Sequence, residues 1–109
     1  MQLERFTVTL LTLRDAAPAA TTELQNAHLA HLADLYDAGH LVAAGPLLDP
    51  HYRGLSILRA DPQHALELKR ADPAVRAGRF EVMAMQWLVP EGLVHFTPGR
   101  LPRTVDEVD

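Results

Sequence analysis

Residues 55–88 read LSILRADPQHALELKRADPAVRAGRFEVMAMQWL, and the punctuation inside this stretch decides the fold. Leu55 to Arg59 has the apolar, β-branched character of a strand. Asp61-Pro62 then sets a capping carboxylate before a proline at the first helical position, which starts a helix running to about Ala71. A second Asp-Pro, Asp72-Pro73, restarts one short helical turn that Gly78 closes. Phe80 to Leu88 alternates over both faces of a last strand. The half of the chain before it carries the complementary pattern. Arg5 to Leu13 (RFTVTLLTL) is a strand with apolar groups on both faces, and Asp15 to Ala20 with Pro18 is a loop. Thr21 or Thr22 caps a helix to about Ala38 that Gly39 terminates. His40 to Pro46 (HLVAAGP) is a short strand ended by Gly-Pro, and Asp49 to Gly54 has turn chemistry.

The order β-α-β-β-α-β is the ferredoxin-like, α+β arrangement: a four-stranded antiparallel sheet with two helices on one face. The predicted domain covers residues 1–88. The segment from Val89 to Asp109, with three Pro, two Gly and four acids, reads as a C-terminal tail that needs a surface to lie on. Two helices cover only one face of such a sheet. One side of the last strand carries Glu81, Met83, Met85 and Trp87 and the other Phe80, Val82, Ala84, Gln86 and Leu88, so the face left in water would be an unusually large apolar patch. A second copy packing sheet to sheet in a two-fold homodimer is the simplest remedy.

Composition narrows the function classes. The 109 residues fit one domain, and at 48% hydrophobic and 22% charged the chain has what it needs to fold without metal or disulfide. It contains no cysteine, which excludes disulfides, thiolate nucleophiles and Cys-ligated metal centres. Ten Lys+Arg against fourteen Asp+Glu give a net charge of −4, without the basic footprint of a nucleic-acid binder. No apolar run approaches the length of a membrane span, and the first residues have no signal-peptide layout, so a cytoplasmic protein is expected.

On a helical wheel, Leu24, Leu29, Leu32 and Leu35 gather on one side of the first helix. His28 falls inside this apolar stripe, and His31 falls at its edge. An ionisable ring at position 28 is therefore aimed into the protein, either as a core histidine bonded to a carbonyl or as a working base. Asp72 follows Ala65 and Leu68 on the inward stripe of the second helix. It is a good N-cap for the turn after it, and it also stands at that helix's inner end. Because the two helices lie side by side, His28 and Asp72 can meet. A carboxylate on one imidazole nitrogen fixes the tautomer and leaves the other nitrogen as a general base. The i, i+3 spacing of His28 and His31 is a weak metal signal without cysteine or an H-E-x-x-H pattern, and no metal is expected. Ser56 has no evident base. Gly45-Pro46 ends a strand, and its glycine also lets a ligand approach the backbone closely.

The segment from His28 through Gly39 to Gly45-Pro46, followed by a hairpin and then by Asp72-Pro73 to Gly78, resembles the YciI-like (YCII-related) family over roughly Arg5 to Leu88. The resemblance implies a dimeric α+β barrel of ferredoxin-like subunits, related to muconolactone isomerases and small monooxygenases. It also implies an active-site pair at His28 and Asp72. Some members have been linked to dehydrochlorination of aromatic-degradation intermediates. The long tail and the short loop between the middle strands depart from the family pattern, and both border the expected pocket mouth. The expected function is a small, cofactor-independent lyase or isomerase acting on a small-molecule ligand, with His28 and Asp72 catalytic and Gly45, Pro46 and His31 contacting substrate. The alternative is a non-catalytic ligand-binding or regulatory module on the same scaffold. A haem-binding relative is a weaker third, since nothing in the sequence selects haem.

Overall fold

The first strand, β1, spans Leu3–Leu13 and begins before Arg5 because Leu3 and Glu4 find partners in Pro90 and Val89 at the far end of the last strand. The computed structural model describes residues 1–108. Thr21 is the cap of α1 (Thr22–Asp37), its hydroxyl accepting from the Leu24 N–H at 3.1 Å. Gly39, at φ +84°, then turns the chain out of the helix, with its N–H donated to the Tyr36 carbonyl and that of His40 to the Leu35 carbonyl. This left-handed position costs an ordinary side chain strain, and glycine removes it.

The next strand, β2, spans Leu41–Pro46, and β3 spans Tyr52–Leu58. The reversal between them is tighter than its composition indicates. The Asp49 carboxylate accepts from the N–H groups of His51 and Tyr52 at 2.9 and 2.8 Å, so the turn closes by His51. Tyr52 and Gly54, expected in the turn, are free to pair with β1. The second helix, α2 (Pro62–Arg70), is capped by Asp61, and α3 (Pro73–Arg76) by Asp72. Strand β4 spans Phe80–Pro90, two residues beyond the predicted Leu88, and a 3₁₀ turn forms at Val105–Glu107.

The strands order as β2-β3-β1-β4, antiparallel throughout, which is the expected ferredoxin-like α+β fold. On the face toward the helices, Thr7, Thr9 and Leu11 of β1 are buried. Leu35, Leu41, Leu58 and Ala65 form the core between helices and sheet, each burying apolar surface at roughly 25 cal/mol per Å².

The segment after β4 folds back on the sheet and helices. Phe96 meets Phe6 edge-on at 5.2 Å between ring centroids, which explains why Phe6 is buried although it lies on the face away from the helices. Leu101 packs against the core. Arg103 bonds Asp34 at 2.9 Å and Asp37 at 2.7 Å, and the Val105 N–H donates to Asn26 at 2.8 Å, so the polar side of α1 is partly covered. Beyond Phe6 the outer face stays open. Val8 stands opposite Met85 and Leu10 opposite Met83, with Met83 42% and Met85 43% exposed. Among the described residues no helix is long and apolar enough to cross a membrane.

Candidate functional site

Asp72 reaches its position for a local reason. Proline at the first helical position fixes the backbone of α3, and the residue before it is extended, at φ −60° and ψ 128°. One carboxylate oxygen, Oδ1, accepts the Ala74 N–H at 2.8 Å, which is the capping bond. The other, Oδ2, lies 2.6 Å from Nδ1 of His28 on α1, 44 residues away in sequence. The side chain of Asp72 is fully buried, and that of His28 is 22% exposed. Capping and histidine contact thus use different oxygens of one group.

An ionised carboxylate only accepts, so Nδ1 of His28 carries the hydrogen of this bond. In the neutral ring the lone pair is then on Nε2, for which no hydrogen-bond partner is present among the described residues. Burial by itself would raise the Asp72 carboxyl. The hydrogen bond and charge of His28, the Ala74 N–H and the nearby Lys69 outweigh burial and hold it below the usual carboxylate range.

His28 borders a cavity of about 590 Å³ between α1 and the sheet. Its walls are largely apolar, with Leu11, Leu24, Leu29 and Phe80 among them, and Leu101 and Val105 of the C-terminal segment close one side. Gly45 and Pro46 border the same space, and a Cβ built on Gly45 would meet no atom within 4 Å. His31 does not border it. Its Nε2 lies 3.0 Å from the Leu68 carbonyl, which can only accept, so His31 donates there and ties α1 to α2.

Two residues that carried no functional expectation also border the cavity. Lys69 is fully buried on α2, and its Nζ donates to the Ser56 hydroxyl at 3.3 Å. Burial pushes the Lys69 amine down to about 8, against the opposing pull of Asp72. The signal for Lys69 is its place four residues after Ala65, which puts a charged side chain on the inward stripe of α2. Ser56 stands on β3 opposite Thr9, whose buried hydroxyl has no hydrogen-bond partner among the described residues.

No curated protein matches the chain. The family model described as the YCII-related domain matches residues 6–87, the span from Phe6 in β1 to Trp87 in β4 that contains His28, Asp72 and the helix-facing side of the sheet. The chain belongs to the YCII-related family.

Proposed function

We propose that this protein is a small enzyme that moves a proton on a carbon atom of a small organic substrate, with His28 as general base and Asp72 as the group that orients it. The reading rests on one observation: His28 Nδ1 is 2.6 Å from the buried Asp72 carboxylate, on a ring that borders a cavity. Nε2 accepts a proton from a carbon next to a carbonyl, and the electron pair of the broken C–H bond moves onto the carbonyl oxygen. Return of the proton at another carbon gives isomerisation. Departure of a leaving group gives elimination. The imidazolium that forms is stabilised by Asp72, and the step needs neither metal nor cofactor. A positioned base of this kind contributes roughly 10²–10⁴-fold, with the remainder supplied by orientation in the cavity.

Gly45 and Pro46 supply wall against which the substrate lies, while His31 serves by holding α1 on α2. The open face of the sheet, with Val8, Leu10, Met83 and Met85, is the surface through which two copies associate.

The test is exchange of carbon-bound hydrogen. Full-length protein is incubated in D₂O with small keto acids and ketones, and loss of the α-proton signal is followed by ¹H NMR. Catalysed exchange that disappears in His28→Ala, with melting temperature retained, supports the reading. Saturable binding without exchange of any compound contradicts it and favours a binding module.

A further inference from the structure

The charges around the cavity run against those of the chain. Fourteen acids and ten Lys+Arg give the protein a net charge of −4, yet among the described residues no Asp or Glu borders the cavity, whereas Arg53, Lys69 and Arg79 do. Among the described residues none of these three makes an ion pair within 4 Å: the pairs present join Arg14, Arg100, Arg103 and His28 to their acids. Arg79 donates to the Pro18 carbonyl at 2.7 Å and lies over the Phe80 ring, so it is held in place without being neutralised.

Lys69 is the sharpest case. A fully buried ammonium has three hydrogens to donate, and the structure gives it one acceptor, the Ser56 hydroxyl at 3.3 Å. Since Ser56 Oγ accepts from Lys69, its own O–H is free to donate elsewhere. A buried cation this poorly matched is destabilising unless something compensates it. Asp72 does so only in part: its charge acts on Lys69 from a distance, and the two form no ion pair within 4 Å. Burial drives the Lys69 amine toward its neutral form, and an anion at the cavity floor would reverse that.

We infer that the cavity binds organic anions, specifically carboxylates with an apolar body, whose charged end is received by Lys69 and the Ser56 hydroxyl. Leu11, Leu24, Leu29 and Phe80 take the apolar body. Arg53 and Arg79 lend positive potential without direct contact being required, which also favours entry of an anion into an otherwise acidic protein. This deepens the proposed function by naming the substrate class, and it rests on that reading in taking this cavity as the site.

The experiment is isothermal titration of the full-length protein with matched pairs of carboxylates and their neutral amides: acetate and acetamide, benzoate and benzamide, 1-naphthoate and 1-naphthamide. At least one carboxylate should bind about tenfold or more tighter than its amide, the size of effect expected for a charge-assisted hydrogen bond. That preference should vanish in Lys69→Met and shrink in Ser56→Ala, with both variants checked for unchanged circular dichroism. Equal binding of acid and amide overturns the inference, as does an undiminished preference in both Lys69→Met and Ser56→Ala, or failure of every carboxylate to bind. The two readings fail separately. Lys69-dependent carboxylate binding with no hydrogen exchange leaves the anion site standing without the catalysis. Exchange on neutral ketones as fast as on keto acids leaves the catalysis without the anion site.

Discussion

His28 and Asp72, 44 residues apart in the chain, are joined at 2.6 Å because one carboxylate serves two ends of the structure at once. Through Oδ1 it starts α3, and through Oδ2 it fixes the ring on α1. A substitution at Asp72 therefore tests the capping bond and the histidine bond separately only if the replacement keeps one of them.

Asp72→Asn is such a replacement, since an asparagine oxygen still caps Ala74. Its stability cost at neutral pH should be modest, about 1 kcal/mol, because capping survives and an amide N–H can still reach Nδ1. At acid pH the two proteins should converge. A carboxyl held below its ordinary value contributes stability that is fully present above the unfolded-state pKa of about 3.9 and is lost as pH falls through the lower folded value. Urea denaturation from pH 7 to pH 2 checks this: wild type should lose the Asp72 contribution across that fall, and the variant has none to lose.

Lys69 predicts the opposite window. Its folded pKa of about 8 lies below the ordinary lysine value of 10.5, so the unfolded state holds more protons between those values and stability rises with pH across them. The rise attributable to Lys69, of order 1–3 kcal/mol, should be absent from Lys69→Met in denaturation curves at pH 7.5 and pH 10.5. At pH 7 the same variant should be as stable as wild type or more so, since it removes a buried charge.

The edge-to-face contact of Phe96 on Phe6 predicts a measurable role for the C-terminal segment. Phe96→Ala should lower stability by about 1–3 kcal/mol, through lost burial and the lost aromatic pair. Thermal denaturation checks it. Arg103→Ala, which breaks two exposed, solvent-screened ion pairs, should leave the melting temperature nearly unchanged.

Homodimerisation through the open sheet face predicts that Met85→Glu yields a monomer, since each copy would have to bury a carboxylate in an apolar interface. Sedimentation velocity should give twice the 12.0 kDa chain mass for wild type and the chain mass for the variant. A wild-type monomer would contradict the dimer.

Much of this molecule is legible in its sequence because local rules carry the information. Thr21, Asp61 and Asp72 announce the three helices as caps, Gly39 and Gly78 end two of them, and the apolar stripe of α1 aims His28 inward. The meeting of His28 with Asp72 follows once the helices are laid side by side. Lys69 is easily passed over even on the inward stripe of α2, because a lysine there ordinarily snorkels to water, and only the packed sheet beneath it denies that exit. The turn before β3 reads too long from composition because one side chain, Asp49, closes it by bonding two backbone N–H groups. The path of residues 91–108 has no local signature. It is set by contacts at long range, Phe96 on Phe6 and Arg103 on Asp34 and Asp37.

Asp72 holds His28 with hydrogen on Nδ1 and leaves Nε2 bare on a ring that borders the cavity. Long-range ¹H–¹⁵N correlation NMR reads the two ring nitrogens directly, at a pH where the ring is neutral. Wild type should show a protonated Nδ1 and an unprotonated Nε2, inverted in Asp72→Asn, where the amide donates to Nδ1. A wild-type His28 with its hydrogen on Nε2, or one unchanged by Asp72→Asn, would contradict it.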